Sequence, residues 1–279
     1  MKATIQFIEK ELIGLYPENE IKSFARLILE HLCGIDYTTM ILKSDKILEP
    51  RFSKPVKEIV RRLKRQEPIQ YILGETEFLD LKLKITPSVL IPRPETEELV
   101  QWIGESDISG SLCMLDIGTG SGCIALALKK QFPEALVSAL DYSAETLETA
   151  RSNAEANNLQ ITFFQADILK WEEYAWGNFD LIVSNPPYVK ESEKRAMLPN
   201  VLRYEPKGAL FVSDADPLLF YRCIADFAKN YLNENGWLFF EINENAGKET
   251  VQLLEKSGFR EIVLKQDLFG KDRMVRCRK

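Results

Sequence analysis

Four consecutive residues, Asn185, Pro186, Pro187 and Tyr188, combine a side-chain amide, two prolines and an aromatic ring. They follow the apolar, β-branched run 179–184, which is typical of a buried parallel strand. Neither proline can donate a backbone hydrogen bond and both fix φ, so the strand must end here in a rigid turn. Ligands of open α/β sheets bind at the carboxyl ends of strands. The tetrapeptide is therefore either part of a ligand site or a plain Pro-Pro turn.

A second candidate site is the segment 114–122, where an apolar strand enters a glycine-rich turn and then a helix. The three glycines alternate with other residues, which differs from the G-x-G-x-x-G spacing of dinucleotide sites. An aspartate at the strand end would repel a pyrophosphate, whereas it suits a ligand with an ammonium or sulfonium charge. The pattern predicts a cofactor site formed by Asp116, Gly118, Thr119, Gly120, Ser121 and Gly122.

Two further strands end in acidic residues. Asp141 lies about 20 residues after the glycine turn, where a carboxylate can accept hydrogen bonds from both ribose hydroxyls. An N-terminal helix cap is the alternative role there, and Ser143 could also supply that cap. After the next strand, Asp167 could accept from an adenine amine while Ile168 packs on the base. Asn185 is the last residue of the predicted cofactor site. Three acidic strand ends together indicate an adenosine-containing ligand without phosphates, and S-adenosylmethionine fits this description.

The composition excludes several other kinds of site. The 45% hydrophobic and 28% charged content is typical of a soluble globular protein. No apolar run has the length of a membrane span and no signal-peptide core is present at the start, so we expect a cytoplasmic protein. His31 is the single histidine and the five cysteines form no C-x-x-C pair, so we expect no metal site. A net charge of −6 argues against a dedicated nucleic-acid binder.

The elements that must position these residues change in type along the chain. Helical periodicity predicts an amino-terminal bundle with helices around 5–15, 18–32, 37–43 and 55–66. Period-two alternation of Leu79, Leu81, Leu83 and Ile85 within 71–85 predicts a half-exposed hairpin. Alternating strands and helices follow, which favours a doubly wound, mostly parallel sheet. The strands are predicted at 112–117, 135–140, 160–165, 180–184, 236–242, 260–265 and 273–277, and the helices at 122–131, 144–157, 217–232 and 246–256.

With these motifs in place, the chain resembles the class I S-adenosylmethionine-dependent methyltransferases. Within that class it is similar to the HemK/PrmC family of release factor glutamine-N5 methyltransferases. The resemblance covers essentially the whole chain: the bundle, the hairpin, 68–74, the Pro-Arg-Pro-Glu-Thr-Glu loop at 92–97, the glycine turn and the Asn-Pro-Pro-Tyr tetrapeptide. The tetrapeptide alone also occurs in DNA adenine and rRNA guanine methyltransferases, so the loop and the bundle carry the narrower assignment.

The resemblance implies an α/β fold, Rossmann-like with a mostly parallel seven-stranded sheet, preceded by a small helical bundle. It divides the chain into a substrate-recognition bundle (1–67), a β-hairpin linker (68–92) and a methyltransferase domain (93–279). It also implies a methyl acceptor, the glutamine of a release factor's Gly-Gly-Gln loop, with no nucleic acid required. The sequence does not fix the oligomeric state, and we take a monomer as the default. Arg93 and Glu95 would then orient substrate from a loop over the site, although the start of a helix with Pro94 in its first turn is the alternative.

The tetrapeptide suits an amide acceptor. An amide nitrogen is a poor nucleophile because its lone pair is delocalised, and no histidine base lies near the motif. A site can instead bind both N–H groups and orient the nitrogen for in-line attack. The Asn185 oxygen and the Pro186 carbonyl could accept these N–H groups, the stiff Pro186-Pro187 backbone could hold them, and the Tyr188 ring could stack on the planar amide.

Two other functions remain open on sequence grounds. An exocyclic amine of adenine or guanine is conjugated like an amide, so nucleic-acid N-methylation is the enzymatic alternative. The acidic isoelectric point of about 5.2 and the lack of a basic, aromatic-rich region argue against it. A binding module that uses the bundle, with an inactive methyltransferase domain as scaffold, is the third hypothesis. The intact glycine turn and tetrapeptide argue against that one.

Overall fold

The computed structural model describes residues 1–35, 37–42, 48–108, 110 and 112–279. They form two compact units, the first comprising Met1–Gly74 and Leu198–Tyr204 and the second Glu75–Met197 and Glu205–Lys279. None of the helices in these ranges is long and apolar enough to cross a membrane.

The first unit is helical, as predicted. Its helices are α1 (Lys2–Leu12), α2 (Glu18–Cys33), α3 (Tyr37–Leu42), α4 (Ser53–Leu63), α5 (Ile69–Leu73) and, from later in the chain, α9 (Pro199–Tyr204), with a 3-10 turn at Pro50–Phe52. The predicted end of the third helix, Lys43, lies outside the described residues. Apolar stripes of α1, α2 and α4 meet in a core that includes Ile8, Leu12, Ile28 and Leu63, all fully buried.

The hairpin begins later than predicted. Residues 71–73 belong to α5 rather than to a strand, because Pro68 precedes the helix and Gly74, with φ of 77°, ends it in the left-handed conformation. Ile69 and Tyr71, which lie on this helical turn, are buried. The expectation that the hairpin includes 71–73 was wrong, since a single short helical turn leaves too few residues for a clear periodicity.

The hairpin itself consists of β1 (Glu75–Phe78) and β2 (Leu81–Lys84). Leu79 and Asp80 form its two-residue turn, and both have positive φ (45° and 59°), as the tight turns of hairpins require. Phe78, not Leu79, therefore takes the buried position opposite Leu81. The predicted alternation was wrong at this first position and is confirmed from Leu81 onward.

The second unit confirms the predicted doubly wound sheet. Its sheet strands are β3 (Cys113–Ile117), β4 (Leu136–Asp141), β5 (Thr162–Gln165), β6 (Phe179–Ser184), β9 (Leu232–Glu241), β10 (Arg260–Gln266) and β11 (Asp272–Arg278), and β7 (Val189–Lys190) pairs with β8 (Phe211–Val212). The helices are α6 (Pro94–Gly104), α7 (Cys123–Gln131), α8 (Ala144–Ala156), α10 (Leu219–Tyr231) and α11 (Gly247–Lys256). The strand order is β10-β11-β9-β6-β3-β4-β5. Strand β11 runs antiparallel to both of its neighbours, β10 and β9, and every other neighbouring pair in this sheet is parallel.

Both faces of the sheet are covered by helices. Successive side chains of a strand point to opposite faces, and β9 shows this with two aromatic contacts. Phe240 meets Tyr221 of α10 edge-on at 5.3 Å, while Phe239 meets Trp102 of α6 edge-on at 5.6 Å. The central strands β3 and β6 are consequently buried on both sides, which explains why they are near-continuous apolar runs in the sequence.

The central strands end at one level. Ile117 of β3 pairs with Leu140 of β4 and with Ser184 of β6, and Ser184 in turn pairs with Phe240 of β9. The residues that directly follow these four are Gly118, Asp141, Asn185 and Glu241. Since the strand order reverses between β3 and β6, this edge is the switch point at which doubly wound sheets bind ligands.

Candidate active site

A cavity of about 350 Å³ opens at this edge of the sheet. The residues predicted for the site that line it are Gly118, Gly120, Asp141, Asp167, Ile168, Asn185, Pro186 and Pro187. The predicted residues that do not line it are Arg93, Glu95, Asp116, Thr119, Ser121, Gly122 and Tyr188. Further walls come from residues that the sequence did not single out, among them Ser88, Leu90, Tyr142, Thr146, Phe220 and Ile224.

The glycine turn brings the backbone to the cavity wall. Gly118 and Gly120 have φ of 74° and 57°, a conformation that favours glycine. The Gly118 and Thr119 amides both donate to the Leu140 carbonyl at 2.9 Å, which fixes the turn against β4. Gly122 has a different role, since a Cβ there would lie 2.6 Å from Leu126 Cδ1 and 3.3 Å from the Ala150 Cβ. It allows α7 and α8 to approach each other.

Asp116 braces the turn from inside the protein. Its side chain is fully buried, and Oδ2 accepts from Thr119 Oγ1 at 2.6 Å and from the Ala125 amide at 3.2 Å. Oδ1 is buried without a hydrogen-bond partner among the described residues. Burial raises the pKa of Asp116 to about 7, and the two hydrogen bonds only partly oppose that rise. The hydrogen bonds of Asp116 therefore stabilise the turn between β3 and α7.

Asp141 and Asp167 face the cavity. Asp141 Oδ2 accepts from the Gly120 amide and Oδ1 from the Ser143 amide, both at 3.1 Å, and burial raises its pKa. Ser143 is the residue that caps α8, by accepting from the Thr146 amide at 3.2 Å. The capping alternative for Asp141 is therefore wrong. Asp167 does cap, because Oδ1 accepts from the Leu169 amide at 3.0 Å at the start of a short 3-10 helix.

Beside Asn185 lies a hydrogen-bonded cluster built around a buried carboxylate. Asn185 Nδ2 donates to Thr96 Oγ1 at 3.2 Å, and Thr96 Oγ1 donates to Glu241 Oε2 at 2.6 Å. Tyr188 donates its hydroxyl to Glu241 Oε1 at 3.0 Å. One oxygen of Glu241 thus accepts from Tyr188 of the tetrapeptide, and the other accepts from Thr96, which in turn accepts from Asn185.

The electrostatics of this cluster follow from burial. Glu241 is 1% exposed, and burial raises its pKa, while the hydrogen bonds from Thr96 and Tyr188 and the charge of Arg273 oppose the rise. The pKa of Tyr188 is raised well above its usual value by burial and by the Glu241 charge. The phenol therefore stays protonated and acts as a hydrogen-bond donor. Its hydroxyl is already committed to Glu241.

Arg93 is held by the buried carboxylate of Glu205. Its Nη2 donates to both carboxylate oxygens of Glu205, at 2.6 and 2.7 Å, and the Glu205 side chain is 1% exposed. Pro94 begins helix α6, which agrees with the alternative interpretation of this loop. Glu95 lies in the first turn of α6 and makes no hydrogen bond within the described part of the chain; its charge contributes to the raised pKa of Glu241.

Two residues of the cluster, Thr96 and Glu241, were missed by sequence reasoning. Glu241 carried a usable signal, since it is the one charged residue in the apolar run 237–242. An acid at the end of a buried strand needs a partner or a function. Thr96 stood within the 92–97 loop without a distinguishing feature, because nothing in the sequence indicates that it lies beside residue 241.

The amino-acid sequence matches two family models and several relatives of known name. The family model of the PrmC N-terminal domain matches residues 5–74, and that of the methyltransferase small domain matches residues 96–210. A release factor glutamine methyltransferase of Flavobacterium psychrophilum is 47% identical over 97% of this chain and 96% of its own length. The chain belongs to the release factor glutamine methyltransferase family. A second member, from Bacteroides thetaiotaomicron, is 42% identical over 99% of both chains. The resemblance inferred from the motifs is thereby confirmed.

Solved structures of methyltransferases share the fold. A methyltransferase of Pyrococcus furiosus superposes with a TM-score of 0.53 at 21% identity, covering 72% of this chain and 90% of its own. The 16S rRNA N2 G1207 methyltransferase of Thermus thermophilus, solved with AdoMet and guanosine, gives a TM-score of 0.53 at 19% identity, over 74% of this chain and 49% of its own. These likenesses confirm the predicted fold class.

The cavity fits S-adenosylmethionine, the methyl donor expected for this family. Its lining includes the carboxylates of Asp141 and Asp167 but no lysine or arginine in the part of the chain that the structure describes. Phosphate groups would meet no cation there, whereas a sulfonium compound would meet negative charge. Gly118 and Gly120 leave free space where a Cβ would stand, so a ligand can approach the backbone closely. Asp116 supports the turn from inside the protein, where its Oδ1 atom has no hydrogen-bond partner among the described residues.

Proposed function

We propose that this enzyme transfers the methyl group of S-adenosylmethionine to the side-chain amide nitrogen, N5, of the glutamine in the Gly-Gly-Gln motif of a peptide chain release factor. Family membership supports this function. The observation that carries it is the position of Asn185, which lines the acidic cavity and has its side-chain amide nitrogen held by Thr96. An acceptor oxygen is thereby available next to the methyl donor.

Asp141 and the glycine turn would hold the cofactor, with Asp167 and Ile168 at its adenine and Asp116 supporting from below. When bound, S-adenosylmethionine supplies an electrophilic methyl group on a positively charged sulfur. Asn185 Oδ1 and the Pro186 carbonyl accept the two N–H groups of the substrate amide and aim its nitrogen at that methyl group. With the cofactor bound, the nitrogen would gain the methyl group, S-adenosylhomocysteine would be the leaving group, and one amide proton would pass to solvent. Tyr188, which does not line the cavity, supports the site from behind by donating to Glu241, and Pro187 keeps the turn rigid.

Substrate selection is assigned to the helical bundle and to the start of α6. The bundle coincides with the family's own amino-terminal domain, which supports a role in recognising the protein substrate. The Arg93 side chain is 32% exposed, and only its Nη2 is hydrogen-bonded among the described residues. Its remaining N–H groups and the neighbouring Glu95 can orient the substrate loop. We assign the enzyme to the cytoplasm because peptide chain release factors act there.

Methyl transfer from labelled cofactor to purified release factor tests the function, with mass spectrometry to locate the added 14 Da on the glutamine, as one methyl group in place of one hydrogen requires. A release factor with that glutamine replaced by asparagine is the matched control. Incorporation into RNA or DNA instead would favour the nucleic-acid alternative. Nuclease treatment should leave activity unchanged, and light scattering should give the 32.0 kDa mass of a monomer.

A further inference from the structure

We propose that Glu241, acting through Thr96, sets the direction in which the Asn185 amide faces the substrate. Glu241 and Thr96 are then positioning residues of the methyl-transfer site, and Asn185 is the residue that touches substrate. This inference rests on the proposed function, because it assumes that the acceptor presents N–H groups to Asn185.

The direction follows from hydrogen-bonding capacity. An ionised carboxylate can only accept hydrogen bonds, so the Thr96 hydroxyl must donate its single proton to Glu241 Oε2, at 2.6 Å. The Thr96 oxygen is then left with lone pairs and can only accept from Asn185. The amide therefore turns Nδ2 toward Thr96, at 3.2 Å, and leaves Oδ1 as the acceptor offered to a ligand. An N–H donor is the ligand group that this orientation fits.

Burial prevents water from taking over this task. Thr96 is 2% exposed and Glu241 is 1% exposed, and Thr96 comes from α6 while Glu241 ends β9. Tyr188 occupies the other carboxylate oxygen at 3.0 Å, so Glu241 cannot rotate without losing a hydrogen bond. A buried charge is costly for a fold, and a neutral side chain of similar shape would avoid that cost. The property that only the carboxylate supplies is that it never donates.

The variant Glu241→Gln tests this property because glutamine has nearly the same shape as glutamate but can also donate hydrogen bonds. Tyr188 still donates to the glutamine oxygen, which leaves the glutamine NH₂ group facing Thr96. The Thr96 proton must then turn toward Asn185, and the Asn185 amide rotates to accept it with Oδ1. The NH₂ group of Asn185 now faces the substrate amide, so two donors confront each other.

We expect Glu241→Gln to lower kcat on release factor about 100-fold, the size typical of losing one preorganised hydrogen bond to reacting groups. Calorimetry should give a dissociation constant for S-adenosylmethionine within about threefold of wild type, because Glu241 does not line the cavity. A variant that retains wild-type kcat while folded would overturn the proposal.

A second pair of variants decides the case if Glu241→Gln does not fold. Thr96→Val removes the hydroxyl at nearly constant shape and should lower kcat about 10-fold, by the tenfold that a lost hydrogen bond of ordinary strength gives. Thr96→Ser restores the hydroxyl and should restore kcat. Equal kcat values for the two would contradict the proposal. Thr250→Val is the matched control, since this buried hydroxyl donates only to the Ala246 carbonyl within α11.

The outcome remains separable from that of the proposed function. Wild-type enzyme assayed beside the variants must methylate release factor; if it binds S-adenosylmethionine and does not methylate, the proposed function fails and the variants are not informative about substrate. If wild type is active and both Glu241→Gln and Thr96→Val have the kcat of wild type, only the positioning role fails.

Discussion

The proposed site has a cofactor side, around the glycine turn and Asp141, and an acceptor side, around Asn185, and the two are built in different ways. On the cofactor side, hydrogen bonds join residues close in sequence: Asp116 to Thr119, Asp141 to Ser143, and Asp141 to Gly120, which is 21 positions away. On the acceptor side, 145 positions separate Thr96 from Glu241 and 112 separate Arg93 from Glu205. The cofactor side is thus assembled largely by one βα unit and the next strand, whereas the acceptor side forms only when α6, β6 and β9 come together.

The largest difference between the halves is expected from Asn185→Ala. It removes the proposed acceptor of a substrate N–H, so kcat should fall about 100- to 1,000-fold, or roughly 3–4 kcal/mol of transition-state stabilisation. Affinity for S-adenosylmethionine should change by no more than about threefold, because the cofactor is held from the other side of the cavity. Single-turnover kinetics and calorimetry measure the two quantities.

The control is Asn230→Ala, which removes an exposed asparagine amide that donates to the Asp226 carbonyl within α10. It should leave both quantities unchanged. If Asn185→Ala weakens cofactor binding as much as it lowers kcat, Asn185 belongs to the cofactor side and the division of the site is wrong.

The next effect concerns stability on the acceptor side. Arg93→Ala leaves the Glu205 carboxylate buried at 1% exposure without its cation, which should cost about 3 kcal/mol of unfolding free energy. Glu205→Gln removes the charge itself and should cost only about 1 kcal/mol. Urea unfolding of both variants and of the double variant gives the coupling between them. A larger loss for Glu205→Gln than for Arg93→Ala would contradict this account of the pair.

On the cofactor side, Asp116 predicts a pH effect. Its pKa of about 7 in the folded state exceeds the usual value of 3.8, so between these pH values the folded state holds a proton that the unfolded chain has released. Stability from this group is therefore present at low pH and lost as pH rises toward 7. Between pH 5 and pH 8, wild type should lose about 2 kcal/mol more than Asp116→Asn, which cannot ionise.

Unfolding free energies at the two pH values measure that loss. Asp107→Asn, at an exposed position, is the matched control and should follow wild type. The other buried acids of the site titrate in all three proteins and cancel from the comparison. Parallel pH profiles for wild type and Asp116→Asn would show that the burial of Asp116 does not govern its protonation.

The same contrast explains what the sequence could predict. Residues 112–122 and Asp141 stood in patterns set by local backbone geometry, so the strands, the turn and the cavity-facing acids were found. The partnership of Thr96 with Glu241, and of Arg93 with Glu205, depends on which elements the fold brings together, and no local pattern encodes it. The hairpin start failed for a related reason: α5 is a single turn whose helical state depends on its caps and its burial.

The smallest expected effect is that of Asp141→Ala, which changes the cofactor side alone. Losing the carboxylate that faces the proposed ribose should raise the dissociation constant for S-adenosylmethionine about 10- to 30-fold, since hydrogen bonds to a charged group are stronger than neutral ones. At saturating cofactor, kcat should stay within about twofold of wild type, because the acceptor cluster is untouched.

Glu145→Ala is the control, an equal change of charge at an exposed position four residues away that does not line the cavity. An equal loss of affinity in Glu145→Ala would reduce the role of Asp141 to its long-range charge. A collapse of kcat in Asp141→Ala like that of Asn185→Ala would mean that the glycine turn, which Asp141 holds through the Gly120 amide, also positions the reacting groups.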